Sequence, residues 1–84
     1  MYELFFKKSA VKELGNVPSK DRLRIFNAVR ELADEPHPVG HKKLVGSDCS
    51  YRIRVGNYRV IYNIYDKQLT IEIVRVRHRK DAYR

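Results

Sequence analysis

Residues 51–65, YRIRVGNYRVIYNIY, are two alternating runs joined by Gly56-Asn57, and this stretch limits what the chain can fold into more than any other. Gly-Asn between β-rich runs is a strong hairpin signal, because glycine adopts the positive φ that a tight primed turn needs. A two-residue loop pairs Val55 with Tyr58, Arg54 with Arg59, Ile53 with Val60 and Arg52 with Ile61. Side chains alternate between faces, so this register predicts Ile53, Val55, Tyr58, Val60, Tyr62 and Ile64 on one side and Arg52, Arg54 and Arg59 on the other. One face is core. The other concentrates guanidiniums, and like charges directly opposite destabilise a strand pair unless something anionic sits between them.

With 84 residues the chain is expected to form one domain, 1–84, around a single modest core. No segment approaches the roughly 18 apolar residues of a membrane span, and the N-terminus shows no apolar export signal, so a cytoplasmic protein is expected. Cys49 is the only cysteine, which excludes an intramolecular disulfide and a multi-cysteine metal site. The formal charge is +8, unevenly spread: residues 1–50 carry +2 and residues 51–84 carry +6. Such a field attracts polyanions, whether nucleic acid, an acidic protein or an anionic surface.

Tyr2 to Lys7 reads as a first strand, and Ser9 as the N-cap of a short helix through Leu14 that stops at Gly15-Asn16. From Lys20 to Glu35 apolar residues recur at helical spacing, giving an amphipathic helix that Pro36 ends. The two form an αα-hairpin that needs a sheet to cover. A breaker-rich loop leads to a loop or short edge strand at 42–46, and then to the hairpin. Asp66-Lys67 is read as a two-residue turn into a last strand with Leu69, Ile71 and Ile73 facing the core. Beyond Ile73 the alternation fails, because Val74 and Val76 fall on the arginine side while Arg75 and Arg77 point inward; a bulge or a strand covered on both faces is expected. The fold class is α+β, in the order β-α-α-β-β-β with an antiparallel sheet.

Glycine-rich phosphate loops, nucleophile elbows and cysteine-histidine metal spacings are absent. His37, His41 and His78 lack a second ligand at metal spacing, so neither a metal site nor a cofactor is expected. The remaining inventory of arginines, a histidine and tyrosines suits phosphodiester chemistry on RNA: arginine holds phosphate oxygens and stabilises developing charge, histidine moves protons, and tyrosine stacks a base.

The runs KKLVG, YRIRVGNYRVIY and VRVRHRKDAYR, following a strand and a helical hairpin, resemble the RelE/ParE toxin superfamily, most closely its RelE branch. The resemblance implies a four-stranded antiparallel sheet on an αα-hairpin, cleavage of messenger RNA in the ribosomal A site, and neutralisation by a cognate RelB-like antitoxin. Residue by residue it assigns Arg52, Arg54, Arg59, His78, Arg79 and Tyr83 to catalysis, while Lys42, Lys43 and Arg77 are candidate RNA contacts. Some family members carry lysines at the positions of Arg52 and Arg54; arginine does not deprotonate at working pH, so its role is electrostatic and proton transfer is assigned to His78 and Tyr83. The mechanism this implies is attack of the 2′-hydroxyl on the scissile phosphate. The alternatives are a ParE-like toxin that inhibits DNA gyrase by contact and a non-toxic basic RNA-binding module.

Overall fold

The runs flanking Gly56-Asn57 form the hairpin that their alternation predicts. In a computed structural model, which describes residues 1–81, strand β3 (Ser50–Val55) pairs antiparallel with β4 (Tyr58–Tyr65) in the expected register, from Val55 opposite Tyr58 to Arg52 opposite Ile61. Gly56 takes a φ of +60°, the left-handed conformation that only glycine adopts without strain. Before these strands come β1 (Glu3–Phe6), helix α1 (Lys8–Gly15), helix α2 (Ser19–Leu32) and the two-residue strand β2 (Lys42–Lys43); β5 (Thr70–His78) follows. The five strands lie in the order β1-β5-β4-β3-β2.

The α+β class stands, as does the succession of a strand, two helices and then strands, with two differences in the sheet: it has five strands instead of four, because Lys42–Lys43 adds a short edge strand, and it is mixed instead of antiparallel. Strands β2 to β5 are antiparallel, but β1 joins the far edge parallel to β5, with Leu4 opposite Ile71 and Phe6 opposite Ile73. A four-residue strand carries no sequence signal for its partner or direction. Both helices cover one face. Ala10 and Leu14 of α1, and Ile25, Val29 and Leu32 of α2, are buried against Ile53, Val60, Tyr62, Ile64, Ile71, Ile73 and Val76.

Three local expectations are corrected. Ser9 does not cap α1, whose N-cap is Lys7; its hydroxyl donates instead to the Val74 carbonyl at 3.0 Å. Helix α2 ends at Leu32 and the chain turns through Ala33 and Asp34 before Pro36 is reached. The connection after β4 spans Asp66 to Leu69: a 3-10 turn followed by Leu69 at a φ of 48°, which leaves Leu69 exposed instead of core-facing.

The failed alternation in β5 resolves as a bulge. Ile61 pairs with Arg75 and Tyr62 with Ile73, so Val74 is the extra residue. The insertion shifts the phase by one, turning Val76 into the core at 3% exposure and sending Arg75 and Arg77 to the face away from the helices.

The proline loop is tied to the core by a buried bond, from the Tyr62 hydroxyl to the Pro36 carbonyl at 2.9 Å. It also brings His37 and His41 together, their ring nitrogens 3.4 Å apart, with both rings against Tyr51. Among the described residues no helix is long and apolar enough to cross a membrane. Burial, with Tyr51 beside it, pushes the Tyr62 hydroxyl from 10.0 up to about 12. The unfolded chain therefore releases this proton first: the contribution to stability is full below pH 10.0 and disappears as pH rises towards about 12. Tyr62→Phe should lower stability at neutral pH by about 1–2 kcal/mol, since it leaves a buried carbonyl unpaired. Urea melts across this alkaline range should show a smaller loss for the variant than for the wild type.

Candidate nucleic-acid interface

On the face turned away from the helices, strand pairing lines up side chains in rows across the sheet. Arg54 is opposite Arg59, which is opposite Arg77, one row spanning β3, β4 and β5. Two residues along the strands, roughly 7 Å away, Lys42, Arg52, Ile61 and Arg75 form a second row. Beyond it the surface is no longer basic: Asn63 donates to Glu72 at 3.2 Å and the Tyr65 hydroxyl donates to the same carboxylate at 3.1 Å. Glu72 is thus held within a polar network of its own, away from the arginine row. The face is graded, with cations at the end nearest the Gly56 turn.

The residues of the first row differ in their surroundings. Arg54 is exposed, Arg77 partly buried, and Arg59 only 8% exposed. Burying a guanidinium is costly unless its surroundings hold the charge, and a charge so held has a fixed position. Lys42 and Arg52 of the second row, with Arg54 of the first, line a shallow cleft of about 290 Å³ at the β3 edge. At the turn, α2 adds a cation: a Cβ on Gly56 would meet Arg24 Nη1 at 3.4 Å.

Several candidate residues separate. Lys42 lies opposite Arg52 on the arginine face, whereas Lys43 lies opposite Tyr51 on the helix side, because adjacent residues of a strand point opposite ways. His78 also falls on the helix side. It is the cross-strand partner of Tyr58, whose ring it meets edge-on with centroids 5.3 Å apart. Its Nδ1 accepts the Lys80 N–H at 3.2 Å, so the neutral ring carries its proton on Nε2. His78 therefore lies on the opposite face from the arginines with which the resemblance groups it, because the bulge that turns Arg77 outward turns the next residue inward. Arg79 is exposed in the turn after β5, its N–H donating to the Asn57 carbonyl at 2.7 Å, which places it at the same end of the sheet as the hairpin turn. Tyr83 lies outside the described residues.

One residue of this region gave no functional signal in the sequence. Glu13 of α1 contacts both Arg75 and Arg77, with its Oε2 3.4 Å from Arg75 Nη1 and 3.3 Å from Arg77 Nε. Its only trace is its spacing, four residues after Ser9 on one helix face, which brings both side chains to β5.

A family model described as the ParE toxin of a type II toxin–antitoxin system, parDE, matches residues 4–83. Toxin RelG of Mycobacterium tuberculosis is 33% identical over 87 residues, spanning 99% of this chain and 97% of its own length. The chain is a member of the RelE/ParE toxin family. Solved RelE structures agree: RelE in the RelE–RelB complex of Pyrococcus horikoshii superposes with a TM-score of 0.84 at 32% identity, covering 96% of this chain and 98% of that one. The isolated Escherichia coli RelE toxin gives 0.82 at 25% identity, covering 93% and 84%.

In this RelE/ParE toxin the arginine row combines repulsion with readiness for an anion. Arg54→Gln should leave the melting temperature equal or higher, because it removes one like charge opposite Arg59. RNA affinity should fall at low salt, and the slope of log affinity against log salt should shrink by about one. A lower melting temperature with unchanged binding would show that the row is not an anion site.

Proposed function

We propose that this chain is the toxin of a type II pair that acts as a ribosome-dependent endoribonuclease, cutting messenger RNA in the A site. The observation that carries the proposal is the row Arg54, Arg59 and Arg77, three guanidiniums from three adjacent strands on a face the core does not use. Guanidiniums bind phosphate oxygens through paired N–H donors and stabilise the extra negative charge of a pentacovalent phosphorus. RNA supplies its own nucleophile. The 2′-hydroxyl gives its proton to water as its oxygen attacks the scissile phosphorus, the bond to the 5′-oxygen breaks, and that oxygen takes a proton from water, leaving a 2′,3′-cyclic phosphate and a 5′-hydroxyl. Arginines do not take up or release the protons, so the row acts by charge and position.

Arg52 and Lys42 extend the cationic surface towards the neighbouring phosphate, and Arg79 adds charge at the turn end. His78, across the sheet from the row, is not assigned to proton transfer on this face; its ring instead shapes the β4–β5 end with Tyr58. Tyr83 stays in the proposal as the group that aligns the base, on the family resemblance alone. A RelB-like antitoxin with an acidic segment is the matching partner, in keeping with the RelE–RelB complexes among the solved relatives. The site of action is then the cytoplasm, where ribosomes are.

Mapping transcript ends after induced expression tests this directly. Cuts confined to translated codons are expected, and Arg77→Ala and Arg59→Gln, each shown to be folded, should reduce cutting by about 100-fold or more. Full growth arrest by both folded variants would sink the assignment. The ParE description of the matching family model favours a second reading, contact inhibition of DNA gyrase. Intact transcripts together with gyrase-dependent DNA breaks would establish that one instead.

A further inference from the structure

Strand β1 covers β5 only as far as Ile73, so among the described residues no strand pairs that edge of β5 from Val74 onward. Helix α1 takes that place. The Ser9 hydroxyl donates to the Val74 carbonyl at 3.0 Å, and Glu13 Oε1 accepts the Val76 N–H at 3.0 Å, so two side chains one helical turn apart stand in for a strand. The other Glu13 oxygen receives the side chains of Arg75 and Arg77. A single carboxylate thus fixes a backbone N–H and two guanidiniums at once.

We propose that Glu13 is a positioning residue of the RNA site, holding Arg77 by its Nε in the row with Arg59 and Arg54. The inference rests on the endoribonuclease reading of that row. Its physical basis is that Arg77 sits on the outer edge of the row, where a long side chain facing solvent has many rotamers and repulsion from Arg59 pushes it away. The Glu13 contact restrains the chain at Nε. It uses one of the five guanidinium donors, and the others are those a phosphate takes in bidentate fashion. Glu13 is only partly exposed, at 24% of its side-chain surface, so its carboxylate is screened less than that of a surface ion pair.

The arrangement carries a charge cost. A carboxylate beside two arginines weakens the attraction of the face for RNA in general, yet it fixes where one guanidinium meets phosphate. Removing the charge should therefore move binding and turnover in opposite directions, which a purely structural residue would not do. Glu13→Gln keeps an oxygen for the Val76 N–H and the same side-chain length. On messenger RNA in programmed ribosomes it should lower kcat about 10-fold while KM stays level or falls. In an Arg77→Ala background the same change should leave kcat unaltered, because the residue it positions is gone.

An active wild type with kcat unchanged in folded Glu13→Gln overturns the inference alone, as does an equal loss of kcat with and without Arg77. A wild type that leaves messenger RNA on ribosomes intact overturns the function reading and this inference with it. If Glu13→Gln is unstable, Glu13→Asp serves as the second variant: the carboxylate is kept but drawn back by one methylene, and kcat should again fall while KM does not rise.

Discussion

The two-residue period of the strands around β4 is the constraint on which the rest depends. Strand β4 lies between β3 and β5, and its alternation decides for both neighbours which side chains enter the core and which leave it. Val60, Tyr62 and Ile64 face the helices, and Arg59, Ile61 and Asn63 face away, so the basic surface and the hydrophobic core are two sides of one periodicity. A slip of one residue in either pairing would exchange them.

That period is interrupted once, at Val74, and the interruption is what makes the site. Without it Arg75 and Arg77 would enter the core, at a desolvation cost that a core of this size could not sustain. With it Val76 completes the core and Arg77 completes the row begun by Arg54 and Arg59. The same shift sends His78 to the helix side. Core packing and site assembly therefore share one device, and they exclude the histidine from the arginine face.

Helix α1 has a double role that follows from the sheet's topology. Strand β1 is too short to cover β5, and an uncovered edge leaves unpaired backbone groups. Ser9 and Glu13 satisfy them, and in doing so bring a carboxylate against the cationic face. The edge is closed and the charge is placed by one element.

The sequence by itself determined the hairpin, its register and the segregation of Arg52, Arg54 and Arg59 from the core, because those features depend on local alternation and on one glycine turn. It also marked the place where the alternation breaks. It did not say that the break is a single inserted residue, nor that β1 would add in parallel beside β5, because such choices depend on contacts between segments some 65 residues apart, such as Glu3 opposite Thr70. The face on which His78 lies and the meeting of Glu13 with Arg77 were likewise decided only in three dimensions. Local periodicity sets which residues share a face of one strand; the docking of edges and helices sets what that face meets.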